Sequence, residues 1–223
     1  MSQINLLILE LVLCLTMIIV LYKKYSKLGI YIYCITAMTL ASIMSLKTIT
    51  LYNYDINLGI IPLVTIYTAS NILIQKQGKD ESKNILIITL LSFIVGYILL
   101  YLTSIMKSSN INLFTSASYD NIFAESIKIY FATLVSTLYS LLLNMNLYYY
   151  LKKIKNSIII SNIFSSIIIQ FISSIIFGLI ANIFVKDAID IIKIIMIRYL
   201  MSLAIAIIST IVIYISNLIK DKE

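Results

Sequence analysis

The sequence contains no histidine and no tryptophan, and its 223 residues include only one proline, five glycines and two cysteines. Histidine is the commonest side chain for proton transfer and metal binding near neutral pH, so its absence removes both usual roles. Because proline and glycine mark most turns, their scarcity leaves little room for long irregular regions. Cys14 and Cys34 lie in apolar stretches and match no metal-binding spacing, so we interpret them as thiols buried in a membrane.

Patterns that carry catalysis are also missing from the sequence. It has no pairing of Ser or Cys with His, no metal-ligand cluster, no phosphate-binding glycine loop and no paired carboxylates within one apolar segment. We therefore predict that the protein is not an enzyme and that it has no catalytic residue, no metal site and no cofactor. The missing nucleotide-binding motif argues against an ATP-driven pump within this chain.

Charged residues are scarce as well. Only 12% of the residues are charged, whereas 61% are hydrophobic and the mean hydropathy is +1.00. This balance indicates an integral membrane protein, with the lipid bilayer as its surroundings. We assign the net charge of +7 to cytoplasmic loops and predict no nucleic-acid binding, because such loops carry an excess of Lys and Arg.

The apolar residues form seven segments, several of them longer than the ~20 residues that a membrane-spanning helix needs. They cover approximately residues 6–22, 28–46, 58–75, 84–105, 126–150, 157–185 and 191–219. The sequence thus predicts an all-α fold, a polytopic membrane helical bundle of about seven transmembrane helices. It forms one integral membrane domain over residues 1–223, with its longest polar loop at residues 108–120.

Lysines cluster after alternate segments and predict the orientation of the bundle. They are Lys23, Lys24, Lys27, Lys76, Lys79, Lys83, Lys152, Lys153, Lys155, Lys220 and Lys222. Loops on the cytoplasmic side carry most of the Lys and Arg of membrane proteins. We therefore expect a multi-pass protein of the cytoplasmic membrane, with its N-terminus outside and its C-terminus in the cytoplasm.

The sixth segment carries no charge but has one polar edge. Its polar residues are spaced by steps of three and four, which places them on one face of a helix: Asn162, Ser165, Ser166, Gln170, Ser173 and Ser174. Lipid cannot satisfy amide groups, so this edge should face other helices or a water-filled cavity.

Two further segments carry polar stripes with similar spacing. The third has Thr65, Thr68, Asn71 and Gln75, and the fifth has Thr133, Ser136, Ser140 and Asn144. Most single Ser and Thr residues are explained by helix packing, because small hydroxyl residues let membrane helices approach closely. The three segments together carry five amide side chains: Asn71, Gln75, Asn144, Asn162 and Gln170. As a set they fit a substrate cavity better, although bridges between packed helices are the alternative.

Ionisable residues inside the segments are few, and intramembrane charges are candidates for function. Glu10 lies in the first segment, and Lys128 and Arg198 lie towards the outer ends of the fifth and seventh. Lys128 could equally reach the membrane surface. Arg198 lies several residues inside its segment, so we expect it in a cavity, where its fork of donors suits a carbonyl or an anion.

The order of these polar residues resembles the queuosine precursor transporter family, also called the VUT family. In that family a helix ends with Thr-Asp, followed by Glu and Gly, and here the same frame reads Ser70-Asn71, Gln75 and Gly78. The family's next-to-last helix runs Arg-Asn, Ser-Thr, Gln, Asp-Thr and Phe. Here the corresponding residues are Ser161-Asn162, Ser165-Ser166, Gln170, Ser173-Ser174 and Phe177, without a gap.

The resemblance covers residues 28–214 and implies a six-helix core, here with one extra N-terminal helix. It also implies uptake of 7-deazaguanine precursors of the tRNA base queuosine. Where the family carries carboxylates, this chain has the uncharged Asn71, Gln75, Asn144, Ser173 and Ser209. An amide offers one acceptor and one donor where a carboxylate offers only acceptors, so the implied substrate need not be the same.

We therefore predict a membrane uptake transporter for a small nucleobase-like molecule such as a queuosine precursor. The alternatives are the same fold carrying a different small metabolite, or a non-transporting membrane scaffold or partner subunit. The predicted substrate-binding residues are Asn71, Gln75, Ser140, Asn144, Asn162, Gln170, Ser173 and Arg198. Because carboxylates are missing from the core segments, we expect facilitated diffusion or a separate energising partner rather than obligatory proton coupling.

Overall fold

The computed structural model describes residues 2–52, 54–106, 113–182 and 187–219, without the side chains of 113–117 and 120–126. Its elements are α1 (Gln3–Met44), β1 (Thr48–Leu51), β2 (Tyr54–Asn57), α2 (Ile60–Gln77), α3 (Lys79–Ser104), α4 (Leu113–Lys155), α5 (Ile158–Asn182) and α6 (Ala188–Leu218). Long helices are expected in lipid, because a helix satisfies its own backbone hydrogen bonds.

Helix α1 folds back on itself at Ser26, whose φ of 51° and ψ of −133° are not helical. A Cβ built on Gly29 would lie 2.1 Å from the carbonyl oxygen of Leu21, whereas these residues would be about 12 Å apart along a straight helix. Only glycine allows this approach. The two halves, residues 3–25 and 27–44, coincide with the first two predicted segments.

Two short antiparallel strands, which the sequence analysis did not predict, precede α2. They pair Thr48 with Asn57 and Leu51 with Tyr54. The Asn57 amide fixes this hairpin to the bundle, because its Nδ2 donates to the Ser45 carbonyl at 2.6 Å and its Oδ1 accepts from the Gly59 amide at 3.0 Å. We call this side of the bundle the hairpin end.

Helix α2 is the centre of the bundle, and every residue from Ile60 to Ile74 is buried. It packs against α1, α3, α4 and α6. Its buried residues include Thr, Ser and Asn, and polar side chains within membrane helices usually face the interior of the bundle. The exterior instead carries Ile and Leu from the other helices, for example Leu13, Leu99 and Ile211, so the bundle presents its apolar surface to the membrane.

Three contacts bring the predicted lysine clusters to the opposite side, which we call the lysine end. The Lys27 Nζ lies 3.3 Å from Glu81 at the start of α3. The Lys76 Nζ donates to the carbonyl of Ile219 at 2.7 Å, and the Lys152 Nζ donates to that of Gln75 at 3.3 Å. The lysines that follow the first, third and fifth segments therefore lie together.

An all-α membrane bundle is confirmed, but a count of seven spans is not. Within the described ranges, five helices are long and apolar enough to cross a membrane, with α1 counted once and α2 not included. The predicted loop at 108–120 is wrong from Leu113 onwards, because α4 begins there. The hydropathy pattern detects only the apolar stretch of a helix, and polar residues can extend the helix beyond that stretch. The rest of the predicted loop, up to residue 112, lies outside the described residues.

Candidate functional site

A cavity of about 180 Å³ lies at the hairpin end, between β2, α5 and α6. Its wall includes Arg198, Phe177, Asn182 and the hairpin residues Asp55 and Asn57. Pockets for drug-sized ligands usually measure ~300–1,000 Å³, so this cavity suits only a small molecule.

Arg198 provides the cationic group of the cavity. It is 7% exposed, and its guanidinium carbon lies 3.7 Å from the centre of the Phe177 ring. The close packing of α6 on α5 makes this contact possible, because Gly178 leaves space for Ile195, one turn before Arg198. Arg198 thus lies several residues inside its helix and beside a cavity, and its role in binding substrate stays a prediction.

A second group of polar residues lies deeper in the bundle, around Tyr67 of α2. The Tyr67 hydroxyl lies 3.4 Å from the Ser173 hydroxyl of α5. Ser140 of α4 approaches the same hydroxyl without reaching hydrogen-bond geometry, and it stays without a hydrogen-bond partner among the described residues. Tyr67 therefore connects α2 to α5 inside the bundle.

The third group is a chain of amides that joins four helices. The Asn144 Nδ2 donates to the Asn71 Oδ1 at 2.7 Å, and the Asn71 Nδ2 donates to the Asn162 Oδ1 at 2.8 Å. The Asn162 Nδ2 then donates to the Thr210 Oγ1 at 2.7 Å. We call Asn71, Asn144, Asn162 and Thr210 the amide chain; it lies about 18 Å from Arg198 along α6.

The remaining predicted residues form no hydrogen bond with the described members of these groups. Gln75 is at the lysine end, where its Nε2 donates to Asn217 at 3.4 Å, so it does not join Asn71. Gln170 is 2% exposed on the face of α5 that also carries Ser173. Its amide forms no hydrogen bond with any residue that the structure describes.

The structure thus brings three predicted amides together and places Arg198 in a cavity, but it separates these two groups. Sequence reasoning missed Tyr67, because one of seventeen tyrosines does not stand out in so tyrosine-rich a chain. The feature that could have identified Tyr67 is its position beside Thr68 and one turn before Asn71 in the polar stripe of α2. Asn182 and the hairpin residues were missed because they lie at segment ends, where no helical spacing marks them.

A helical bundle that turns its polar side chains inward and holds a charged cavity at one end is typical of a membrane transporter. The family model described as "Putative vitamin uptake transporter" matches residues 57–216 of the chain. This match covers more than half of the sequence, so the chain belongs to the vitamin uptake transporter (VUT) family, as the sequence resemblance predicted. No curated protein and no solved structure matches the chain. The resemblance of residues 28–56 stays a prediction.

Proposed function

We propose that the protein is an uptake transporter of the cytoplasmic membrane for a small nucleobase-like molecule, such as a 7-deazaguanine precursor of queuosine. The observation that carries this proposal is the cavity at Arg198, because it joins a buried cation to an aromatic ring within a bundle of the VUT family. A planar molecule with carbonyl groups matches this combination, since a guanidinium fork donates in its own plane.

The lysine end is proposed to face the cytoplasm, following the positive-inside rule. Each half of α1 then crosses the membrane once, which gives seven crossings with the N-terminus outside and the C-terminus inside. In this orientation the cavity at the hairpin end faces the outside, as uptake requires. The amide chain would lie between the cavity and the cytoplasm, so its bonds between α2, α4, α5 and α6 would have to rearrange during transport.

One observation favours the alternative of a non-transporting scaffold. Asn71 uses its Nδ2 and Oδ1 on other members of the amide chain, so these groups bridge helices rather than face a ligand in this conformation. Transport of a different small metabolite is the second alternative, because the carboxylates expected from the family are absent. Both alternatives predict no uptake of 7-deazaguanines.

Uptake in cells tests the proposal. Cells that cannot make queuosine precursors should incorporate a labelled 7-deazaguanine into tRNA when they produce this protein. An inactive variant made to the same level provides the control, and Arg198→Gln serves as this variant because it removes the cation of the cavity. Equal incorporation with and without the protein would contradict the proposal.

A further inference from the structure

Some polar side chains that line the cavity already form hydrogen bonds within the protein, and others do not. Asn57 is bonded to backbone through both ends of its amide, and the Asn182 Nδ2 donates to the Gly178 carbonyl at 3.0 Å. The exposed Asp55 accepts from the Thr50 hydroxyl at 2.8 Å. The side chains of Arg198 and Ser45 line the same cavity but form no such bonds with the described residues.

Among the residues that the structure describes, Arg198 has no counter-ion although it is buried. In the described part of the chain, no carboxylate forms an ion pair with it and no group accepts a hydrogen bond from it, and its Nη1 is fully buried. A buried ionised group is unfavourable unless it is paired and hydrogen-bonded. An Asp or Glu normally meets this need inside a protein, and none of the described carboxylates does so for Arg198, which leaves this role open to a ligand.

Ser45 supplies a second unsatisfied group. It is 1% exposed, and its Oγ has no hydrogen-bond partner among the described residues. A hydroxyl can donate to a ligand oxygen, and the guanidinium has five N–H donors. The unsatisfied groups at the cavity therefore supply donors and a positive charge. The carboxylate that lines it, on Asp55, is exposed and already bonded.

We infer that the cavity selects a substrate that is a planar anion, with a carboxylate-type oxygen pair bound by Arg198, and that it rejects cations. Phe177 covers one face of the guanidinium at 3.7 Å, and Nη1 is buried, which leaves the in-plane edge formed by Nε and Nη2 for two parallel hydrogen bonds to the ligand. This inference rests on the proposed function, since it takes the cavity as the place where substrate binds. Within the 7-deazaguanines, it favours acids over amines.

A matched series of probes tests the charge preference. The 7-deazaguanines that carry a carboxylate, a nitrile or an aminomethyl group at C7 share one ring system and are an anion, a neutral molecule and a cation. Their affinities for the purified full-length protein should fall in that order. We expect about a 10- to 100-fold gap between the acid and the amine, the range of one charge-assisted hydrogen-bonded contact.

Three variants assign the preference to Arg198. Arg198→Gln should abolish the affinity order, and Arg198→Lys should keep the order with weaker binding of the acid, because Lys holds the charge without the bidentate fork. Lys193→Gln is the matched control, since Lys193 lies on the same helix but is exposed and paired with Asp190 at 3.4 Å. Thermal unfolding of each variant verifies that it is folded.

A second pair of probes separates this inference from the proposed function. Pyridine-3-carboxylate and its carboxamide are planar and differ in charge, but they are not nucleobases. If only the pyridine acid binds, and Arg198→Gln abolishes that binding, the nucleobase proposal fails and the charge inference stands. If the three 7-deazaguanines bind equally, or if Arg198→Gln keeps their order, the inference is overturned while the nucleobase function stands. Binding of none of the five probes overturns both.

Discussion

Removing the central amide of the amide chain should destabilise the bundle. Asn71→Leu deletes two hydrogen bonds of 2.7 and 2.8 Å and leaves the Asn144 Nδ2 without an acceptor and the Asn162 Oδ1 without its donor. A buried unpaired group costs about 1–3 kcal/mol in water-soluble proteins, and interhelical bonds in membranes average nearer 0.6 kcal/mol. We therefore expect a loss of about 1–4 kcal/mol in the free energy of unfolding.

The native thiols provide the assay. Cys34 is 1% exposed, so a thiol-reactive fluorophore should label it only when the bundle unfolds on heating in detergent. The expected loss corresponds to a fall in Tm of several degrees, at about 2–4 °C per kcal/mol for a chain of this size. Asn146→Leu is the control, because Asn146 is exposed on the same helix as Asn144 and, among the described residues, bonds only to the Leu142 carbonyl.

Asn71→Leu should unfold well below both the wild type and Asn146→Leu. Gln170→Leu should stay near the wild type, because Gln170 gives up no hydrogen bond with the described residues. If Asn71→Leu is as stable as the control, the amide chain does not hold the four helices together and the argument from these distances is refuted.

Three further predictions concern the turn in α1, the orientation and the coupling. Gly29→Ala should lower Tm more than Gly96→Ala, because a Cβ at Gly29 meets the Leu21 backbone at 2.1 Å whereas a Cβ at Gly96 meets open space. Equal falls in Tm would contradict the tight turn. Single cysteines at Ser2 and Ser157, in a chain without native thiols, should react with impermeant reagents from opposite sides of the membrane; labelling of both from one side would contradict seven crossings. Uptake into proteoliposomes should persist when the proton gradient is dissipated, because the core segments lack carboxylates; uptake that collapses would contradict transport without proton coupling.

Helical spacing was sufficient to predict which polar side chains turn inward. The spacing of Asn71, Asn144 and Asn162 placed each amide on the interior face of its helix, and the structure joins all three. Spacing defines a face but not a partner, so it could not show that these amides satisfy one another. It also could not show that Gln75, one turn after Asn71, stays outside the amide chain.

The parts that the sequence did not reveal depend on contacts between distant residues. The hairpin of Thr48–Leu51 and Tyr54–Asn57 alternates polar and apolar residues over only four positions a strand, too few to predict strands beside long apolar segments. The cavity forms where the hairpin, Phe177 and Arg198 meet. Arg198 itself was predictable, because a charge inside an apolar segment is rare enough to indicate function.

Exchange of substrate by the purified protein tests the central claim most directly. Proteoliposomes that contain only this chain are loaded with an unlabelled 7-deazaguanine and placed in a trace of the labelled compound. The proposed function predicts that label accumulates inside and that Arg198→Gln reduces this accumulation, while Lys193→Gln does not. Folded protein that accumulates no label beyond empty liposomes would contradict the claim that this chain transports the compound by itself.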